Sequence, residues 1–579
     1  MKEKSPDKLE QLRHSAAHLL AAAVLELYPG AKNTIGPAIE NGFYYDFDFG
    51  DIKISEEDLP KIEAGMAGIL KTWKEFEGME ISAKEAREKF ADNPYKIELI
   101  EELEKTGESI TIYKSGNFED LCRGGHVENP KKEIKAFKLL SVAGAYWRGS
   151  EKNQMLTRIY GTAFSTKEEL EKHLELLEEA KKRDHKKLGP KLELFMFHET
   201  APGMPYWLPK GTILLNELIG FWREEHRKRD YREIVSPILN KKELYVTSGH
   251  WEHYRENMFI AETEEKEIYG VKAMNCPNAM IVYQSKSRSY RDLPLRLSDT
   301  DPLHRYERSG TLNGLLRVRE FRQDDAHIFV TEDQVKDEYK NIFEIVERFY
   351  SIFDLKYSFR LGTRPEAFMG DKETWDKAEN SLKQILDESE KKYSVLEGDG
   401  AFYGPKVDIL MKDSLSRDWQ MGTIQLDFQI PRNFDLKYMD ADGKEKTPIT
   451  IHRVIYGSLE RFMGILIEHT AGAFPVWLSP VQAVVLPISE RNAEYAEKVA
   501  TKLKAAGVRT ELDSRSETLQ SKIRDAQIQK IPYMLVVGNR EEEAKTVAVR
   551  LRTGEDLGSI KVEEFATRSA QIIADKHGL

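Results

Sequence analysis

Apolar residues recur with two different periods along this chain, and the shifts between them mark four segments. In residues 1–164, the run 16–25 (AAHLLAAAVL) predicts a helix and 42–49 (GFYYDFDF) an aromatic strand, with further α/β alternation behind them. Residues 165–190 form a connector. Ser165-Thr166-Lys167-Glu168 has the form of a capping box, and Leu170, Leu174, Leu177 and Ala180 follow at helical spacing. This charged helix runs through Lys181-Lys182-Arg183-Asp184-His185-Lys186-Lys187 and ends near Gly189-Pro190. Its basic end is either a nucleic-acid backbone contact or a solvated face.

Residues 191–480 predict a long helix (214–229), a strand reaching Pro237, a hairpin turning at Gly310 and Gly314, a strand over 420–428 (QMGTIQLDF) and a helix beginning near Gly457. A proline at a strand end cannot donate to the ladder, so it suits an edge or an interface. From 481 to 579 strands (483–486, 508–512, 533–537, 547–552) alternate with helices (492–506, 517–529, 562–576), the pattern of a small α/β domain.

At 579 residues the chain exceeds one core and divides into about three or four domains. With 40% hydrophobic and 32% charged residues it is an ordinary globular composition. The net charge of −11 gives no global basic footprint, so any nucleic-acid contact must be local. Cys122 and Cys276 are the only cysteines, which excludes a disulfide framework and fits a reducing cytoplasm. No apolar run approaches about 18 residues, so no membrane span is expected. The run 16–25 contains His18, is followed by Glu26 and is preceded by Glu3, Asp7 and Glu10, which predicts an amphipathic helix rather than a secretory leader.

Candidate chemistry gathers in three places. The stretch from His304 to His327 carries Arg305, Arg308, Arg317, Arg319 and Arg322 around a Gly-containing turn, interleaved with Glu307, Gln323, Asp324 and Asp325. Guanidinium groups on both sides of a loop match phosphate oxygens, although a solvated, salt-bridged hairpin has the same composition. Neither a G-x-x-x-x-G-K-[ST] loop nor a Rossmann glycine fingerprint is present. Cys276, His327 and His452 are too far apart for a finger-like zinc pattern, so spacing alone favours a buried Cys and two core histidines over a metal site. His14 and His18 share a helix face, and Cys122-Arg123-Gly124-Gly125-His126 adds a C-x3-H turn. These four make a tetrahedral donor set on paper, with a helical His pair or a structural zinc site as plainer alternatives.

Arg305-x-Glu307, a loop, then Arg317-x-Arg319-x-Phe321-x-Gln323-Asp324-Asp325 resembles motif 2 of class II aminoacyl-tRNA synthetases, in the form found in threonyl enzymes. The resemblance covers nearly the whole chain. The helix, strand and Pro237 resemble motif 1, the dimer element, and Gly457-Ser458-Leu459-Glu460-Arg461 resembles motif 3. It implies an antiparallel-sheet catalytic core (191–480), an α+β editing domain before it and an α/β anticodon-binding domain after it.

In the core the family places Arg305 on the ATP α-phosphate, Glu307 on the adenine amino group, Phe321 on the adenine ring, Arg317 on the outer phosphates and Arg461 on the γ-phosphate, with Gln420 and Thr423 also at the nucleotide and Mg²⁺ accompanying it. Cys276, His327 and His452 match its zinc ligands; Gln323, Asp325, Tyr403 and Gln420 match positions around threonine. His250 matches a histidine near the tRNA terminus, and Glu541 and Arg550 match positions that read anticodon bases. Three protein ligands leave zinc an open position. A zinc ion that takes the amino group and hydroxyl of threonine excludes valine, which an apolar pocket rejects by only about a hundredfold. Serine keeps the hydroxyl, so a second sieve is expected. His14, His18, Lys96, Asp120, Cys122 and His126 match the editing domain shared by threonyl and alanyl enzymes, a set that works without metal in the threonyl version; the sequence leaves zinc there open. The resemblance thus implies a cytoplasmic homodimer that takes ATP, threonine and tRNA(Thr).

Three departures stand out. Most bacterial threonyl enzymes begin with a small ubiquitin-like domain, whereas this chain is expected to start at the editing helix. Asn278-Ala279 replaces the usual Gly-His after Cys-Pro, and Tyr306 and Arg308 vary the motif 2 wording. Rival readings are a non-catalytic paralogue, which should lose Arg305, Arg317 and Arg461; an enzyme for another amino acid such as alanine; and a free-standing hydrolase, which would not need residues 191–480.

Overall fold

The computed structural model describes residues 7–413 and 417–576. The chain forms two compact units, Met1–Glu179 and Ala180–Leu579.

In the first unit, α1 (Lys8–Leu27) is buried from Leu12 to Val24 apart from His14. It is therefore a central helix and not the two-sided amphipathic one expected. Its alanines allow close approach to an antiparallel sheet whose first long strand is β1 (Gly42–Asp48), and the next helix, α2 (Leu59–Leu70), packs against α1. Helix α3 (Pro94–Thr106) starts at Asn93, whose side chain accepts the Tyr95 and Lys96 N–H groups. Strands β2 (Ile110–Ser115) and β3 (Phe118–Leu121) belong to a separate three-stranded sheet. The long strands β4 (Ala136–Tyr146) and β5 (Met155–Phe164) complete the first sheet in the order β1-β5-β4. Helix α4 (Lys167–Arg183) starts one residue late: Thr166 Oγ1 accepts the Glu169 N–H at 3.2 Å and Glu169 accepts the Thr166 N–H at 3.1 Å, so the box is Thr166/Glu169. Asp184, already in the second unit, then caps a new helix, α5 (His185–Lys191), through the Lys186 N–H at 2.9 Å.

In the second unit α6 (Pro209–Arg227) starts at Pro209, which lacks the N–H that a first helical residue cannot use. The strand expected up to Pro237 shrinks to β6 (Arg232–Glu233). After α7 (Cys276–Gln284) come β7 (Leu295–Asp299), β8 (Pro302–His304), β9 (Glu320–Arg322), β10 (Asp325–Val330), α8 (Val335–Ser351), β11 (Lys356–Gly362), β12 (Tyr393–Leu396), β13 (Lys406–Lys412), β14 (Asp418–Asp427), β15 (Ile449–Val454) and α9 (Leu459–Thr470). Eight of these strands form one sheet in the order β6-β7-β10-β15-β14-β13-β11-β12, antiparallel except for β6/β7 and β11/β12 at the two ends.

Side chains alternate across a strand, and here the alternation divides the sheet by chemistry. Ala326, Ile328, Val330, Ile424, Leu426 and Ile451 face a large apolar core shared with α6, α8 and α9. The residues between them, including Asp325, His327, Thr423, Gln425, Asp427 and His452, turn to the other face. The outgoing arm of the expected hairpin is broken: β9 stops at Arg322 and β10 starts at Asp325. Buried Asp324 causes the break. Its carboxylate accepts the N–H groups of Ile455 (3.0 Å), Tyr456 (3.1 Å) and Gly457 (3.0 Å) instead of continuing a strand face.

The C-terminal part of this unit is a five-stranded sheet, β17-β16-β18-β19-β20, made of β16 (Ala483–Pro487), β17 (Thr510–Leu512), β18 (Tyr533–Val537), β19 (Thr546–Leu551) and β20 (Asp556–Lys561). β20 is almost wholly exposed and carries no apolar alternation, which is why its sequence does not signal a strand. Among the described residues no helix is long and apolar enough to cross a membrane.

Candidate active sites

Cys276 opens α7, which lies over the polar face of the large sheet beside Leu295, Leu297 and Phe329. His327 on β10 and His452 on β15 are direct cross-strand partners, with ring centroids 4.9 Å apart. The three ligand atoms lie within 4.8 Å of one another, and all three residues are buried. His452 Nε2 meets Asp427 Oδ2 at 2.8 Å, while Asp427 Oδ1 accepts the Gln429 and Ile430 N–H groups. A carboxylate behind an imidazole fixes its tautomer and leaves the other nitrogen for a ligand. His327 Nδ1 is buried and has no hydrogen-bond partner. Burial pushes the Cys276 thiol well up and, as the largest influence, the His327 imidazole down to about 4.

A cavity of about 330 Å³ opens beside this triad, and Gln323, Asp325, Tyr403 and Gln425 are on its wall. The Asn275 amide donates to Asp325 Oδ2 at 3.0 Å, and Tyr403 Oη donates to Gln425 Oε1 at 2.6 Å. Gln420 does not line this cavity: it is exposed, and its Oε1 accepts from Arg360 at 2.8 Å. Of the two glutamines on β14, Gln425 is on the wall and Gln420, expected at the threonine, is not. Thr423 and Gln425 share a face by plain alternation, and a register shift between Asp408 and Leu410 of β13 brings Gln420, three residues before Thr423, onto that face as well. His250 is buried on the same wall. Its Nδ1 is 2.9 Å from Ser248 Oγ, its Nε2 is 3.8 Å from Cys276 Sγ, and burial holds it down to about 3.

The arginines converge next to this cavity. Arg461, in the first turn of α9, donates to Leu316 O (3.1 Å) and Gln420 O (3.3 Å). Burial and then the like charges of Arg305 and Arg317 pull its guanidinium down. Three crowded guanidinium groups make a site for a polyanion. Arg305 lies over the Phe321 ring at 5.0 Å and donates to Ala273 O. Glu307 and Arg317 are paired with each other at 2.8 Å. Thr423 Oγ1 donates to Asp408 at 2.9 Å. Asn278 and Ala279 are buried, and Ala279 packs in one apolar cluster with Met280 and Tyr283.

The first unit carries a second cluster. His14 and His18 are one turn apart on α1, and Cys122 Sγ is 3.5 Å from His14 Nε2 and 3.2 Å from His126 Nε2. The four donor atoms lie within 4.8 Å of one another. Burial lowers all three histidines, His126 to about 2, and raises Cys122 to about 12. The set is therefore uncharged at neutral pH, and Cys122 is a thiol rather than a nucleophilic thiolate. A cavity of about 500 Å³ is lined by His14, His18, Tyr45, Lys96, Asp120 and Cys122 among others. His126 is not on that wall: its ring stacks between Phe76 (3.9 Å) and His14 (4.4 Å). Lys96 and Asp120 form a buried ion pair at 2.5 Å; Lys96 also reaches Thr34 O, and Asn33 and Tyr45 donate to Asp120. Asn33, Tyr45 and Phe76 carry no motif and were invisible as site residues.

Glu541, in a short helix (Asn539–Ala544), caps it by accepting the Gly538 N–H at 3.0 Å. Arg550 on β19 is half-exposed, 3.9 Å from Asp556.

Comparison with known proteins agrees with this layout. Residues 110–160 match the threonyl and alanyl tRNA synthetase second additional domain, 259–470 the tRNA synthetase class II core domain (G, H, P, S and T), and 482–571 an anticodon binding domain. Threonine–tRNA ligases of Thermotoga neapolitana and Acetivibrio thermocellus are 55% and 52% identical over 575 and 567 residues, spanning 99% and 97% of this chain and 89% and 88% of theirs. The crystal structure of the RNA binding domain of threonyl-tRNA synthetase from Cryptosporidium parvum superposes with a TM-score of 0.65 at 42% identity, covering 67% of this chain and 98% of that one. By its nearly full-length identity to these relatives, this chain belongs to the threonyl-tRNA synthetase family of class II synthetases.

Proposed function

We propose that this chain ligates threonine to tRNA(Thr) through a threonyl-adenylate and hydrolyses Ser-tRNA(Thr) at its second cluster. The observation that carries the reading is the cavity in which a sulfur and two imidazoles stand beside three converging arginines. Cys276, His327 and His452 would hold zinc. The donor types suit that ion, His327 Nδ1 is free for it, and Asp427 orients the second imidazole. When bound, zinc supplies a Lewis acid that takes the amino group and hydroxyl of threonine together, which valine cannot match.

Asp325, Gln323, Tyr403 and Gln425 would orient the amino acid. ATP with Mg²⁺ would lie against Arg305, Arg317 and Arg461, with Gln420 and Thr423 nearby; the Glu307–Arg317 pair must open for Glu307 to reach the adenine amino group and Phe321 the ring. A threonine carboxylate oxygen then attacks the α-phosphorus and pyrophosphate leaves. In the second step a ribose hydroxyl of tRNA attacks the adenylate carbonyl and AMP leaves, with His250 on the cavity wall to assist. Both steps depend on positioning and charge stabilisation. In the first unit His14, His18 and Cys122 would orient water on the mischarged ester over a floor fixed by Lys96 and Asp120, with His126 behind them. Glu541 and Arg550 would read anticodon bases. The reading also makes the protein a cytoplasmic homodimer.

ATP–pyrophosphate exchange over a panel of amino acids, with zinc content measured in parallel, tests the synthetic site. Threonine should stimulate exchange and zinc should be one per chain; stimulation by another amino acid alone would overturn the reading. Changing His14 and His18 to Ala should let Ser-tRNA accumulate, and unchanged deacylation would count against the second site.

A further inference from the structure

We propose that His185 is a positioning residue for the arginine turn at the synthetic site. His185 is completely buried at the start of α5, where the chain enters the second unit. Its Nδ1 donates to Glu468 Oε1 at 2.7 Å, and its Nε2 accepts the Leu315 N–H at 3.0 Å. Both nitrogens are used, and Glu468 also accepts from the His185 N–H (3.3 Å) and from Arg417. The grouping of Asp184, His185 and Glu468 is thus a hydrogen-bonded joint with no donor atom of His185 left for a metal.

The joint closes a ring. Glu468 and Arg461 both belong to α9. From Glu468 the ring passes through His185 to Leu315, then to Leu316, whose carbonyl accepts Arg461 Nε at 3.1 Å and so returns it to α9. Two further features tie the same turn to α5. Lys186 Nζ donates to Asn313 Oδ1 at 3.1 Å, and Gly314 has φ +50° with space for a Cβ only 2.3 Å from His185 Nε2. The imidazole therefore holds residues 313–316 at a set distance from the helix that carries Arg461. The hydrogen bond to Leu315 requires an acceptor at Nε2, which fixes the proton on Nδ1. No substrate atom needs to touch His185 for this effect.

The inference rests on the reading that Arg317 and Arg461 hold ATP. The test uses the full-length zinc-loaded protein in threonine-dependent ATP–pyrophosphate exchange. His185→Asn keeps a donor near Glu468 but removes the acceptor for Leu315, and should raise KM for ATP roughly three- to tenfold, the loss of one hydrogen bond. KM for threonine should stay unchanged. His185→Gln, whose amide oxygen reaches the Nε2 position, should restore KM for ATP. Gly314→Ala should repeat the defect with His185 intact. The inference is overturned if His185→Asn leaves KM for ATP unchanged, if threonine and ATP parameters fall together with Tm, or if His185→Gln gives no rescue. Arg461→Ala separates the two readings: if it leaves KM for ATP unchanged, the ATP site itself is misplaced.

Discussion

His327 and His452 meet because a ladder register puts them opposite each other, and Asp427 decides which nitrogen of His452 stays available. Replacing Asp427 with Asn should weaken zinc retention by about 10- to 100-fold, the usual effect of removing a carboxylate behind a ligating histidine. Competition with a chelator checks this, and unchanged retention would show that Asp427 serves only its backbone N–H contacts. In the other unit, Lys96 and Asp120 have side chains 2% and 1% exposed. Lys96→Met should destabilise that unit by about 3–5 kcal/mol, because it leaves a buried carboxylate without its counter-charge. Thermal unfolding should register the loss alongside slower Ser-tRNA deacylation. The His–Cys sets were legible from residue type and family wording. Asp427, Tyr45 and Asn33 were not, since an acid or amide that supports a ligand has no spacing rule of its own.

At the level of elements, the cap of α9 controls where Arg461 points. Ser458 Oγ accepts the Arg461 N–H at 3.2 Å. Ser458→Ala should cost about 1 kcal/mol in stability, the usual loss of an N-cap, and raise KM for ATP, both measurable on one purified variant. Helix α1 makes a pH prediction. His14 and His18 on it, and His126 stacked against it, have their pKa values lowered chiefly by burial, so the folded state keeps them neutral where the unfolded chain would be protonated. The stability they contribute is present above about pH 6.5 and is lost as pH falls below it, by up to about 1.4 kcal/mol per pH unit for each group. His126→Asn should make the thermal midpoint less sensitive to pH between 5 and 6.5 on this same argument; an unaltered slope would mean that His126 is protonated in the folded state. The strands β14 and β18 and the start of α9 could be read from the sequence to within a residue or two. The broken hairpin could not, because it depends on Asp324 capturing N–H groups from residues 455–457, far away in sequence. That Gln425 lines the cavity while Gln420 does not could not be read either, because both lie on one face and only the tertiary contact of Gln420 with Arg360, at the exposed end of the strand, separates them.

The whole molecule combines two chemistries in separately packed units. In the second unit the C-terminal sheet is fastened to the catalytic body through Arg509–Glu217 (2.6 Å) and Lys210–Gln529 (3.0 Å). Val235, 83% exposed, is close in sequence to the less exposed Ile238 (41%) and Leu239 (55%) in the segment expected to form a dimer. Val235→Asp with Leu239→Asp should yield monomers in sedimentation velocity; a persisting dimer would move the interface elsewhere. Each reactive cluster is discontinuous in the sequence, and the two close at different points along it. The set proposed to hydrolyse is complete at His126 within a unit that ends at Glu179, whereas the set proposed to synthesise waits for His452 and, with it, Arg461. Chains are made from the N-terminus and domains fold as units as they emerge. A growing polypeptide of this sequence therefore gains the means to erase an error before it gains the means to commit one.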